Sequence, residues 1–430
     1  MTSQPSTPKF STLGLNDRLL SRLKTLGYSQ PTAVQADAIP AALSGRDLLA
    51  SAKTGSGKTA AFSLPLLQHF IDQPNHHSRH SNPVFALILV PTRELAIQVG
   101  DSILTYAQDL ATPPMVLSLF GGVKINPQMM ALRGGADILV ATPGRLLDLM
   151  NSNALSLASL HTLVLDEADK MLNLGFHDEL NSILTALPDS RQNMLFSATF
   201  PDELKRLIRV LLNDPAEISI ESLHTETHIQ QRVITVNRER KNALLIHLIK
   251  NEQWQQVLVF CSAKHSCNRL AMKLKKAGLN ASVFHGDQTQ GARNKALQGF
   301  KEGEIQILIA TDVAARGIDI ECLPHVVNFE LPRSPNDYIH RIGRTGRAGK
   351  SGTAISLICH AEYHHFKVIE KRIKQRLTRE QIPGFEASET APEERNITTP
   401  KSPTGRRKKH QSREEEPQIN AHIWGNRKKY

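Results

Sequence analysis

The sequence predicts an α/β protein with two tandem domains of one kind, each a parallel sheet flanked by helices, joined by a short linker and followed by a disordered basic tail. Three observations lead there. The chain has 430 residues, more than one hydrophobic core usually serves. Short apolar runs recur along it and are continuous rather than alternating, as in strands covered on both faces. Helical patterns such as Arg93 to Tyr106 and Arg145 to Met150 stand between the runs, which gives the strand-helix-strand rhythm of an open parallel sheet.

The first series of runs is Phe85 to Val90, Asp137 to Ala141, Thr162 to Leu165 and Met194 to Phe196. A second follows Pro215 and a polar stretch: Val257 to Phe260, Ala281 to Phe284, Ile305 to Ile309, His325 to Phe329 and Thr353 to Leu357. The expected boundaries are therefore a first domain over residues 1–215, a linker over 216–230 and a second domain over 231–383. Residues 384–430 form the tail. Past Pro383-Gly384 the apolar periodicity stops and Pro, Glu, Ser, Thr and Arg dominate, a composition that cannot bury enough apolar surface to order itself.

The net charge is +11, which points to a polyanionic partner. Its location says more than its size. From Arg395 to Tyr430 there are ten Lys/Arg against three Glu, a surplus of seven that leaves four for the rest of the chain. No apolar run is long enough to cross a bilayer, and the start, MTSQPSTPKFSTLGL, lacks the apolar stretch of a signal peptide. A cytoplasmic protein without membrane contact is the expectation. Four cysteines, Cys261, Cys267, Cys322 and Cys359, contain no CxxC pair and are too few for a disulfide framework. The segment holding His76, His77 and His80 interrupts two periodic stretches and reads as a surface loop rather than a metal site.

The chemistry starts at Ala52-Lys53-Thr54-Gly55-Ser56-Gly57-Lys58-Thr59, which follows the strand-like Asp47 to Ala50 and opens a helix. Glycines let backbone N–H groups close around phosphate oxygens, and the helix N-terminus adds positive potential. Lys58 then reaches the terminal phosphates and Thr59 offers a hydroxyl to Mg²⁺. Ala52 stands where the usual pattern has its first glycine. Further on, Leu163-Val164-Leu165 ends in Asp166-Glu167-Ala168-Asp169. Crowded carboxylates need a cation, a proton or a cationic side chain, and an acidic helix cap is the plain alternative. A phosphate loop on the same sheet favours Asp166 as the Mg²⁺ holder and Glu167 as the group that orients and deprotonates the attacking water. The second domain has no glycine loop after Val257 to Phe260, so one nucleotide site is expected. It does carry His340-Arg341-Ile342-Gly343-Arg344-Thr345-Gly346-Arg347, whose Arg344 and Arg347 read as arginine fingers for that site.

These motifs, with Phe10, Gly27-Tyr28 to Gln35, Pro91-Thr-Arg-Glu-Leu95, Gly121-Gly122, Thr142 to Arg145, Ser197-Ala-Thr199, Gln290 to Arg293 and Thr311 to Asp319, make residues 10 to 360 resemble the DEAD-box RNA helicases. The intervening text looks most like the bacterial RhlE-type branch. The resemblance implies two RecA-like domains and an RNA-stimulated ATPase that uses ATP and Mg²⁺ to open short RNA duplexes and remodel RNA or RNA–protein complexes. It implies that Gln35 reads the adenine edge with Phe10 or Tyr28 packing near the base, and that Asp319 touches the ribose. Asp169, Ser197, Thr199, His340 and Arg341 would couple nucleotide to RNA. The RNA contacts it implies are Pro91, Thr92, Arg93, Gly122, Thr142, Arg145, Arg293 and Thr311, spanning both domains opposite the nucleotide cleft. Ala52 is usual in this family. Aromatic residues make up 5% of the chain and none interleaves these motifs, so sugar and phosphate contacts without sequence choice are expected, not a base-stacking platform. Ribosomal precursors and the RNA-degradation machinery are the family's common settings. An ATP-gated RNA clamp or annealer, and a DNA translocase, are the competing readings.

Overall fold

A computed structural model describes residues 8–52, 55–73, 84–219, 229–315, 323–346 and 351–388. The first lobe holds strands β1 (Leu48–Ser51), β2 (Ala86–Leu89), β3 (Val116–Leu119), β4 (Ile138–Ala141), β5 (Thr162–Asp166), β6 (Gln192–Ser197) and β7 (Ala216–Ser219). They lie in the order β3-β4-β2-β5-β6-β1-β7, every pairing parallel. The second holds β8 (Ile229–Thr235), β9 (Val257–Cys261), β10 (Ala281–Phe284), β11 (Ile307–Thr311), β12 (His325–Asn328), β13 (Gly352–Ile358) and β14 (Arg379–Glu380). Their order is β10-β11-β9-β12-β13-β8-β14, again all parallel. These are the two tandem α/β lobes the sequence predicts.

Successive side chains of a strand point to opposite faces, so each lobe has two cores. In β2, Ala86 and Ile88 pack with Phe62, Val99 and Ile103 on one face, and Leu87 and Leu89 pack with Leu146, Met171 and Ile183 on the other. In β9, Val257 and Val259 join Leu245 and Leu270, whereas Leu258 and Phe260 join Phe284 and Phe300. No polar alternation survives such double burial, which is why the runs read as continuous.

Two boundaries differ from the expectation. The stretch 216–230 begins and ends in strands: β7 pairs with β1, and Ile229 and Gln230 open β8. Only Ile218 of β7 is buried, so this edge strand lacks the apolar run that marks a central one. Ordered structure also continues past residue 384. Phe385 lies under the Arg240 guanidinium at 4.8 Å, and Asn237 and Ser388 exchange hydrogen bonds of 2.7 and 3.2 Å. The rest of the tail, the histidine-containing segment and Cys322 lie outside the described residues. Cys261, Cys267 and Cys359 are free thiols.

Because every strand runs the same way, the loops that follow them emerge along one edge of each sheet, the usual place for a ligand in such folds.

Candidate active site

The phosphate loop leaves β1 and enters helix Lys58–Asp72, whose N-cap Gly57 is left-handed at φ +90°. The turn demands glycine for a second reason. A Cβ there would stand 2.4 Å from Gln35 Nε2 and 3.1 Å from Thr32 Oγ1. Gln35 forms a capping box with Thr32 at the start of helix Ala33–Leu43: its carbonyl accepts from Thr32 N at 2.9 Å and its amide donates to Gly57 O at 3.1 Å. A primary amide has two donors and two acceptor sites, so one of each remains for an adenine edge. Ala52 N donates to Ser197 O at 3.1 Å, tying the loop to the end of β6. Gly55 is also left-handed at φ +80°, and Ser56 and Thr59 are half-buried at the head of the loop and helix.

Phe10 is buried and meets Tyr28 edge-on at 6.3 Å, and the Tyr28 hydroxyl lies 3.0 Å from that of Tyr106. Those are the partners the structure gives the two aromatic candidates. Tyr28 lines a cleft of about 400 Å³ with helices Arg93–Ala107 and Gln290–Lys301.

Asp166 ends β5 next to β6, and Lys58 Nζ lies 3.8 Å from Asp166 Oδ1. Both atoms are buried and neither has a hydrogen-bond partner among the described residues. A buried lysine and carboxylate in this condition fit a phosphate oxygen and a divalent cation arriving between them. Burial pushes the Asp166 carboxyl up, with Lys58 opposing and Glu167 adding. Glu167 is left-handed at φ +54° and caps helix Ala168–Asn173. Burial acts to raise its carboxyl, yet Lys170, Lys58 and Arg344 hold it below the usual range. Thr199 Oγ1 donates to Asp169 Oδ2 at 2.6 Å, and Ser197 Oγ donates to Thr199 O at 2.7 Å. The coupling candidates of the first lobe thus form one hydrogen-bonded run.

From the second lobe come Arg344, buried and close enough to bear on Glu167, and His340, whose imidazole is pushed down to about 4 by burial and by Lys170. His340 is therefore neutral at physiological pH, and it lies close enough to Asp169 and Glu167 for their charges to bear on it. Arg341 is committed inside its own lobe, with bonds of 2.5 and 2.7 Å to the two Asp312 oxygens, 3.0 Å to Asn328 Oδ1 and 2.6 Å to Glu330 O. It holds the shape of the second lobe. Thr54, Asp319 and Arg347 lie outside the described residues.

The other candidate surface occupies the same sheet edge. Pro91 and Thr92 follow β2, Gly122 follows β3 and Thr142 follows β4, the three neighbouring strands at one end of the order. Both sets of residues therefore follow the C-terminal ends of strands of one parallel sheet. Thr92 caps helix Arg93–Ala107, its Oγ1 accepting from Leu95 N at 3.3 Å. Gly122 is left-handed at φ +81°, and a Cβ there would come 2.7 Å from the Arg93 guanidinium. Arg145 donates to Val123 O at 2.8 Å, while its buried Nη1 has no partner among the described residues. Thr311 ends β11. Arg293 is only 3% exposed; it lies 2.8 Å from Glu94 Oε1 of the first lobe and over Phe284 at 4.7 Å. Beside it, Arg93 Nη1 donates to Gln290 Oε1 at 3.0 Å. Arg93 and Arg293 thus join the two lobes.

Residues 32–207 match the DEAD/DEAH box helicase family and residues 240–349 the helicase conserved C-terminal domain. A DEAD-box ATP-dependent RNA helicase CshA of Bacillus cereus is 41% identical over 378 residues, 88% of this chain and 70% of that protein. The chain belongs to the DEAD-box helicases. CshA of Bacillus subtilis is 39% identical over 88% of this helicase and 75% of its own length. Among solved structures, S. cerevisiae Dbp5 bound to RNA and ADP BeF3 superposes with a TM-score of 0.75 at 31% identity, covering 87% of this chain and 95% of that one. A DEAD box protein from Methanococcus jannaschii gives 0.50 at 39% identity, covering 86% and 99%. The two Bacillus relatives carry the name CshA, not RhlE.

Three residues of the helicase take part in ways the sequence reading did not assign. Lys170 pairs with Glu167 at 2.7 Å, Glu94 with Arg293, and Asp312 with Arg341. Glu94 and Asp312 stand inside recognised motifs and Lys170 one residue past another, and that placement is the only sequence signal they give.

Proposed function

We propose that this helicase is an RNA-stimulated ATPase that opens short RNA duplexes and remodels RNA or RNA–protein complexes. The observation that carries the reading is the meeting of two lobes at one site: Glu167, next to the Asp166 that faces Lys58 on the first lobe, lies within the field of Arg344 on the second. The superposition supports it. A less similar sequence bound to RNA and a nucleotide analogue fits better than a more similar one over nearly equal coverage, as it would if the lobes here adopt the closed arrangement.

In this reading Gln35 selects adenine and Asp319 the ribose. The loop from Ala52 through Thr54, Gly55, Ser56 and Gly57 to Lys58 cradles the triphosphate. Thr59 and Asp166 would hold Mg²⁺, which when bound would neutralise phosphate charge. Glu167 accepts the proton of the attacking water, and Arg344 and Arg347 stabilise the charge that develops on the transferred phosphoryl group, a contribution of about a thousandfold or more in comparable enzymes. Asp169, Ser197, Thr199 and His340 link this to the strand held by Pro91, Thr92, Arg93, Gly122, Thr142, Arg145, Arg293 and Thr311. RNA contacts fall on sugar and phosphate, which gives affinity without sequence choice. Each stacked pair costs about 1.4 kcal/mol, so one closure melts only a few pairs and hydrolysis resets the lobes. The protein works in the cytoplasm, on ribosomal precursors or alongside RNA-degradation machinery, as an RhlE-like or CshA-like enzyme. No described helix is long and apolar enough to cross a membrane.

The test is strand displacement on a short RNA duplex with ATP, beside a DNA duplex and a nonhydrolysable analogue, together with ATP hydrolysis with and without polyribonucleotide. RNA-stimulated hydrolysis with displacement of RNA alone is expected. Hydrolysis indifferent to RNA overturns the reading; stimulated hydrolysis without displacement makes the protein a clamp or annealer, and displacement of DNA makes it a DNA translocase.

A further inference from the structure

Lys170 is 3% exposed, and its ammonium lies 2.7 Å from Glu167 Oε1. A buried cation normally answers to one buried anion, and the arrangement leaves little choice of which. Asp169 is bonded to Thr199, and Asp312, which lines the same small cavity as Lys170, is held by both arms of Arg341. The backbone gives a second reason. Glu167 is a non-glycine residue at φ +54°, a conformation that side-chain-bearing residues rarely adopt and that persists only when its surroundings hold it. Helix Ala168–Asn173 begins at that residue, so the side chain three positions on lies back over it.

We infer that Lys170 is a positioning residue for ATP hydrolysis: it fixes the Glu167 carboxylate by one oxygen so that the other is presented to the attacking water. The inference rests on the assignment of Glu167 as the base. Lys170 is distinct from Lys58, the lysine beside the phosphate loop, which faces Asp166 instead. It stands on the wall of a cavity shared with Asp337, His340 and Arg344 of the second lobe, so the base is fixed where the arginine arrives. Nucleotide and RNA binding do not depend on it, because its partner acts in the chemical step alone.

The test compares Lys170→Met, Lys170→Arg, Glu167→Gln and the double variant Glu167→Gln/Lys170→Met in full-length protein at saturating RNA. Misplacing a catalytic group by an ångström costs about a hundredfold, so K170M should lower kcat by roughly 10- to 100-fold with KM for ATP and RNA nearly unchanged. K170R should restore most of the loss, and K170M should cost nothing further in the Glu167→Gln background. If K170M does not fold, Lys170→Gln, which keeps a hydrogen-bond donor without the charge, takes its place with an intermediate kcat expected. A wild-type kcat in K170M, a change in KM alone, or a full further loss in the double variant overturns the inference. Glu167→Gln turning over at the wild-type rate instead removes the assignment of the base, which separates the two failures.

Discussion

The Glu94–Arg293 pair bridges the lobes at 2.8 Å with side chains 9% and 3% exposed. Replacing Glu94 by Gln leaves the guanidinium buried against a neutral amide. Removing one partner of a buried pair costs about 3 to 5 kcal/mol, and the amide oxygen, still able to accept a hydrogen bond, recovers part of that, leaving roughly 2 to 3 kcal/mol. Burial already raises the Glu94 carboxyl against the pull of Arg293, which argues for the lower part of the range. The pair forms only when the lobes meet, so the loss falls on closing and not on the folding of either lobe. At 1.4 kcal/mol per decade this is roughly 30- to 150-fold. With one fluorophore on each lobe and a saturating nonhydrolysable ATP analogue, the RNA concentration for half-maximal energy transfer should rise by that factor in E94Q. The thermal unfolding profile should stay unchanged, and added salt should alter the difference little, because a buried pair is weakly screened. A half-closure concentration equal to wild type would refute the argument that this contact holds the lobes together.

Gly57→Ala should weaken binding of a fluorescent ATP analogue by roughly 10- to 100-fold while the protein stays folded, because a left-handed alanine costs about 1 to 2 kcal/mol and its Cβ would displace Gln35; unchanged affinity would show that the loop adjusts freely. Lys241 Nζ lies 2.5 Å from Glu362 Oε2, and although burial acts to raise the Glu362 carboxyl, Lys241 holds it below the usual range. A depressed carboxylate stabilises the fold above its unfolded pKa of about 4.3 and loses that contribution as pH falls through the folded value. Glu362→Gln should therefore cost about 1 to 3 kcal/mol in denaturant melts at pH 7, with the gap to wild type closing below about pH 4. A gap that persists at low pH would show that the loss comes from packing, not charge.

The central strands were legible in the sequence because both of their faces are covered: β2, β4, β5, β9 and β11 are buried at every position. The edges were not. β3 and β7 each bury one residue of four, and β14 has two residues, neither fully buried, so no apolar run announces them. The glycine-rich loop at residues 52–59 and the Asp166-Glu167 pair stood out in the sequence because they are particular residue types at fixed short spacings. Which buried charges meet across the fold did not. The resemblance implies an RNA contact for Arg293 and a coupling role for Arg341, and only the three-dimensional structure gives their partners, Glu94 and Asp312. The same blindness hid Lys170, one residue beyond a motif that was recognised.

The bond from Ala52 N to Ser197 O joins adjacent strands, so the start of the glycine-rich loop and the segment leading to Thr199 belong to one stiff plate. Neither can be displaced without tugging the other. News of an occupied pocket would then travel as a rigid tilt, with no cascade of loosened side chains, and the molecule would need no hinge inside its first half to make one event felt at the next.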